Sequence, residues 1–121
     1  MVSLVLTTYN GEKYITEQLD SIRLQTRTPD EVIIRDDGSS DRTIKIVDDY
    51  IKEYNLESWM LISEQNNVGW KRNFYEAIVL AQGDYIFLSD QDDIWHKDKV
   101  ESTVAVMKNR PEIELLASGY H

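Results

Sequence analysis

Four short apolar, β-prone runs recur along the chain at residues 2–6, 31–35, 59–62 and 85–88, and a fifth stands at 114–118. Between them lie segments whose apolar residues return at helical spacing. These are Ile15, Leu19 and Ile22; Ile44, Val47, Ile51 and Tyr54; Phe74, Ala77, Ile78 and Ala81; and Val100, Val104 and Met107. This alternation constrains the fold more than any motif does. Each helix must carry the chain back so that the next strand runs parallel to the last, which predicts an α/β fold with a mainly parallel sheet and helices on both faces.

The local signals sharpen the boundaries. Thr7 and Thr8 continue the first strand, and Asn10 is the N-cap expected for the first helix. The run 36–41 is a turn, after which Ser40 or Asp41 caps the second helix. Residues 66–69 form a loop, and a third helix is expected over 71–82 with Gly83 at its C′ position. The run 85–88 lies between Gly83 and a polar stretch and reads as a strand buried on both faces. The fourth helix ends before Pro111.

Composition narrows the functional classes. The 121 residues suit one domain, large enough to bury about two thirds of its unfolded surface. A net charge of −9, from 22 acidic and 13 basic residues, argues against nucleic acid as a partner. An acidic nucleotide-sugar ligand stays open, because a divalent cation can bridge it to acidic protein groups. With no cysteine there is no disulfide, thiol catalysis or thiolate zinc site, and His96 and His121 are too few for a histidine-built metal site. No apolar run reaches the roughly 20 residues of a membrane span, and residues 2–6 are too short for a signal peptide. The expected location is cytoplasmic, with peripheral contact at the inner face of a membrane left open.

Polar clusters follow the first, second and fourth strands: Thr7-Thr8-Tyr9-Asn10, Asp36-Asp37-Gly38-Ser39-Ser40 and Asp90-Gln91-Asp92-Asp93. In an open parallel sheet ligands bind beyond the carboxyl ends of the strands, so the three clusters share one edge. Tyr9 reads either as ordinary core packing or as a flat ring for a base. Asp37 before Gly38 reads either as a turn residue or as an acceptor for a base N–H. Asp90, Asp92 and Asp93 repel one another unless a cation or donor-rich ligand lies among them; the bland alternative is a solvated acidic turn. Arg72 near a helix start suits an anion, or is simply a surface arginine. Trp70 and Trp95 read as core or rim packing. An EF-hand lacks its later ligands after Asp92, and no P-loop or GxGxxG is present. A receiver-type phosphoacceptor would want a lone aspartate after strand three, where Ser63-Glu64 stands. A dehalogenase-type phosphatase would carry its nucleophile on strand one, whereas Asp90 follows strand four.

The segments 2–10, 32–43, 66–73 and 83–92, in that order and spacing, resemble the family 2 glycosyltransferases. The resemblance implies the Rossmann-like βαβ nucleotide-binding half of a GT-A fold, with strand order 3-2-1-4 and strand five beyond or beside strand four. It implies an inverting transfer of a sugar from a nucleotide diphosphate to an acceptor hydroxyl, as in polysaccharide assembly. Thr7 and Tyr9 would frame the base, Asp37 would accept from its edge, and Arg72 would lie near the base or diphosphate. Asp90 and Asp92 would be the ends of a DXD motif. Asp92 would hold Mg²⁺ or Mn²⁺, and Asp90 would face the ribose or the metal's waters. The run 90–95 is similar to rhamnosyltransferase-like members, which hints at a deoxythymidine donor beside the uridine type. The acceptor would be a saccharide or a lipid-linked one. On this reading residues 1–121 are the nucleotide-sugar-binding part of a cut domain, and the catalytic base is expected beyond His121. A non-catalytic nucleotide-binding module and a phosphotransfer domain are the alternatives.

Overall fold

A computed structural model describes residues 1–64, 66–89 and 94–109. Its elements run β1 (Val2–Thr8), α1 (Ile15–Arg23), β2 (Glu31–Asp36), α2 (Thr43–Glu53), β3 (Trp59–Ser63), α3 (Trp70–Ile78), β4 (Tyr85–Ser89) and α4 (Lys99–Asn109). The four strands form one parallel sheet in the order β3-β2-β1-β4, as expected. The expected fifth strand at 114–118 lies outside the described residues.

Register explains the two cores. Leu4 of β1 is paired with Val32 of β2 and Phe87 of β4, and Val5 with Ile33 and Leu88. Because strand side chains alternate, Leu4 and Leu6 face one way and Val5 the other. The first face meets Ile15, Leu19 and Ile22 of α1, Val47 and Tyr50 of α2, and Val100 and Val104 of α4. The second meets α3 through Ala77, with Phe74 and Ile78 packed alongside. Burying each large aliphatic side chain is worth about 1.5–3 kcal/mol, so the α1–α2–α4 face holds most of the sheet's stability.

Four local expectations are corrected. Asn10 does not cap α1: a Gly11–Tyr14 turn comes first, and Asn10 sits at φ 49 with its side-chain oxygen turned to the amide of Ser40. The core side of α2 is Thr43, Val47 and Tyr50 with Ile51 packed alongside, so Val47 and Ile51 lie as expected while Tyr50 takes the place expected of Tyr54 and Ile44 is only half-buried. Tyr50 turns inward because its hydroxyl finds Asp20 and Arg23 on α1, while Tyr54 stays exposed. The third helix ends at Ile78, since Leu80 and Ala81 bond three residues back instead of four. Gly83 is therefore no helix cap. It passes so close to β1 that a Cβ there would lie 2.5 Å from Ser3 Oγ and 2.8 Å from Ser3 N. Lastly, β4 is an edge strand among the described residues, buried at Phe87 and Ser89 and only partly elsewhere.

Candidate functional site

The carboxyl ends of β1, β2 and β4 come to one edge, and the loops that leave them are laced together. Thr8 Oγ1, at the end of β1, donates to the fully buried Asp36 Oδ1 at 2.6 Å. Asp36 also accepts from the amide and hydroxyl of Ser39, so it folds the 36–39 turn back on itself. Asn10 answers from the other side: its amide donates to Ser39 Oγ, and its Oδ1 accepts from Ser40 N at 2.8 Å. Gly11 N donates to Thr43 Oγ1, which donates to Asp41. Asp41 does serve the start of α2, accepting from the Thr43 amide, although Arg42 is the residue at the helix boundary. Burial alone would raise the Asp41 carboxyl, but bonds from the hydroxyl and amide of Thr43 and the amide of Glu12 hold it below the usual carboxylate value.

Neighbouring aspartates point to opposite sides of the sheet. Asp36 shares the α1 side with Leu6 and Ile34, whereas Asp37 reaches the α3 side. The buried Asp37 carboxylate accepts from Val68 N at 2.7 Å on Oδ1 and from Gly69 N at 3.1 Å on Oδ2. Gly69 sits at φ 89, which lets the chain turn there into α3. Two amides leave each carboxylate oxygen with further acceptor capacity.

The remaining expected site residues fall around this edge. Thr7 is buried on β1, on the same face as Val5 and directly across from Arg35. Tyr9 stands just past β1 with 42% of its surface exposed, at the rim and not in the core. Arg72 is in the first turn of α3, where its Nε donates to Glu76 at 3.4 Å and its side chain is 69% exposed. Trp70 is exposed beside it, with the Lys71 amine 5.5 Å from the ring centre, while Trp95 is buried against Phe87. At β4, Gln18 of α1 donates to the buried Ser89, the last residue before Asp90. Asp90, Asp92 and Asp93 themselves lie outside the described residues. Among the described residues no cluster of three or more His, Cys, Asp or Glu could hold a metal.

Two residues of this edge escaped the sequence reading. Arg35 is 8% exposed and holds Glu64, and Asn73 of α3 donates its side-chain amide to the Arg35 carbonyl. A signal existed for the first: an arginine closing an apolar run is rarely buried without a purpose. Nothing local distinguished Asn73.

A parallel α/β sheet with polar loops gathered at its carboxyl edge is the arrangement in which open α/β proteins bind their ligands. The sequence matches glycosyl transferase family 2 over residues 3–120, and the chain belongs to that family. It is 40% identical over 102 residues to a protein named dTDP-rhamnosyl transferase RfbG from Shigella flexneri, covering 82% of this chain and 35% of that protein. Its fold matches the structure of residues 1–349 of TarS from Staphylococcus aureus in complex with UDP, with a TM-score of 0.80 and 31% identity over 91% of this chain and 32% of that one. It also matches a mannosyltransferase, PcManGT from Pyrobaculum calidifontis, in complex with GDP-Man and Mn²⁺, with a TM-score of 0.81 and 26% identity over 88% of this chain and 32% of that one. The chain spans about a third of the length of the first curated relatives it matches. The GT-A α/β fold is thereby established, and the phosphotransfer alternative is set aside.

Proposed function

We propose that this chain supplies the donor site of an inverting glycosyltransferase that moves a sugar from a nucleotide diphosphate to an acceptor hydroxyl. The observation that carries the reading is the single edge to which Thr7–Tyr9, Asp36–Asp37 and the end of β4 all come. The UDP bound to TarS and the dTDP in the name of RfbG support a uridine or deoxythymidine donor. In this reading the Tyr9 ring covers one side of the base, Thr7 borders it, and Asp37 accepts an N–H from its edge. Arg72 lies toward the base or the diphosphate charge. Asp90 faces the ribose or the metal's waters.

Asp92, with Asp90, would hold Mg²⁺ or Mn²⁺. Carboxylates are hard oxygen donors suited to these ions, which take one or two of them together with phosphate oxygens and waters. Such an ion supplies charge stabilisation to the leaving diphosphate. A fold of net charge −9 needs it in order to keep an acidic nucleotide at an acidic edge. The Mn²⁺ in the PcManGT complex supports the assignment. None of these residues is assigned the general base that would deprotonate the acceptor hydroxyl, and we place that base outside these 121 residues. We place the acceptor among saccharides or lipid-linked compounds and the location in the cytoplasm, with the inner face of a membrane as the alternative site. No helix among the described residues is long and apolar enough to cross one.

The test is a titration with UDP and dTDP, with and without Mn²⁺, for the chain, Asp92→Asn and Asp93→Asn, beside a donor-turnover assay. Metal and nucleotide should each strengthen the other's binding, since they share a site. Asp92→Asn should abolish that coupling and Asp93→Asn should matter less. Binding indifferent to Mn²⁺, or coupling intact in Asp92→Asn, defeats the metal assignment. Sugar transfer by the 121 residues alone would show that the base lies among them.

A further inference from the structure

We propose that Asn73, Arg35 and Glu64 are positioning residues that set the Asp37 carboxylate for one class of base, uracil or thymine over cytosine; the proposal rests on the donor-site reading above. Asp37 is not held by its own strand alone. Its two oxygens take one amide each, from Val68 and Gly69, so its orientation follows the 66–69 loop. That loop is fixed to β2 at both ends. At its start, Arg35 donates to Glu64 Oε1 at 2.9 Å, and Glu64 N donates to the Asp36 carbonyl at 3.0 Å. At its end, Asn73 Nδ2 donates to the Arg35 carbonyl at 2.9 Å, and Asn73 N closes the first turn of α3 on the Gly69 carbonyl. Arg35, Glu64 and Asn73 thus form a frame around the loop whose amides orient Asp37.

Arg35 Nε and Asn73 Oδ1 are both buried, and among the described residues neither has a hydrogen-bond partner. Such buried polar atoms call for a reason, and holding the Asp37 loop in place is the one this frame offers. A carboxylate can only accept. Held opposite N3 of a pyrimidine, it therefore favours uracil and thymine, whose N3–H donates, over cytosine, whose N3 is an acceptor and whose only donor, N4–H₂, a carboxylate in that place does not meet. Moving the carboxylate by a fraction of an ångström weakens that preference without removing the pocket that takes the rest of the nucleotide.

The experiment is calorimetric binding of UDP and CDP, in Mn²⁺, to the chain and to Asn73→Ala, Glu64→Ala and Asp37→Ala. The wild type should prefer UDP by roughly tenfold, the worth of a hydrogen bond to a charged group. Asn73→Ala and Glu64→Ala, each of which removes one bond of the frame, should each cut that preference by about threefold to tenfold through weaker UDP binding, with CDP binding unchanged. Asp37→Ala should abolish it. Equal loss of UDP and CDP in the two frame variants would mean a merely structural role and overturn the proposal. So would an intact preference in folded Asn73→Ala and Glu64→Ala when Asp37→Ala has lost it, a result that leaves the base-site reading standing. No preference in the wild type overturns that reading and the proposal together. If Asn73→Ala fails to melt cooperatively, Glu64→Ala decides, because its side chain is partly exposed and its loss leaves no buried cavity.

Discussion

The two ends of the sheet are both lined with acidic residues, and they use them differently. At the amino end, Asp30 accepts from the Val2 amide, Glu31 from the Ser3 hydroxyl and the Gln82 amide, and Asp84 meets the Met1 ammonium. These carboxylates stay partly or largely exposed and pin down the starts of strands. At the carboxyl end Asp36 and Asp37 are buried: Asp36 takes one bond from Thr8 on β1 and two from Ser39 in its own turn, and Asp37 takes two from the remote 66–69 loop. Three of the four positive-φ residues among those described, Asn10, Gly38 and Gly69, are at that end as well. Exposed carboxylates there would be ordinary surface chemistry, whereas buried ones carry a desolvation cost that their hydrogen bonds must offset.

The comparison breaks first at Asp36. Asp36→Ala strips the bonds to Thr8 and Ser39 inside a buried turn, and should cost about 3 kcal/mol in urea unfolding, at the upper range for a hydrogen bond to a charged group. A loss below about 1 kcal/mol would make the two ends energetically alike. Next comes ligand affinity. Tyr9→Ala should weaken UDP or dTDP binding roughly fivefold to a hundredfold, the worth of one stacked base. Unchanged calorimetric affinity would remove Tyr9 from the base site.

A smaller effect, seen in acid, should be shared by the two ends. Asp30, through the Val2 amide, and Asp41, through Thr43 and Glu12 despite its burial, both lie below the ordinary 3.8 in the folded state. A depressed folded pKa stabilises fully above the unfolded value, and the stabilisation is lost as pH falls below 3.8 toward the folded value. The stability deficits of Asp30→Asn and Asp41→Asn should therefore be constant near neutrality and shrink below that pH. A deficit that grows on acidification would mean that folding raises these carboxyl pKa values. The smallest effect belongs to Asp84→Asn, whose exposed ion pair with Met1 should be worth roughly 0–1 kcal/mol and should fade in salt.

Much of this was legible in the chain itself. The succession of strands and helices, the parallel sheet and the gathering of Thr7, Tyr9 and Asp37 at one edge follow from apolar periodicity and turn residues, which are local properties, whereas the 3-2-1-4 order came from the resemblance of the motifs to a known family. The inward stripe of α4 at Val100, Val104 and Met107 was also legible, since nothing polar on that face competes with it. Where a remote polar partner intervened, local reading failed. Tyr50 turned in to reach Asp20 and Arg23, and Asn10 left its helix to bond a loop 30 residues away. Periodicity says that Asp36 and Asp37 point apart, but not that one meets Thr8 and the other meets Val68 and Gly69. Those partners lie 28 to 32 residues distant, and only the packing of β1 and α3 against β2 brings them within hydrogen-bond range. The burial of Arg35 and its bond to Asn73 through the main chain were decided the same way. A buried hydrogen bond is a meeting of two segments, and neither segment alone carries its address.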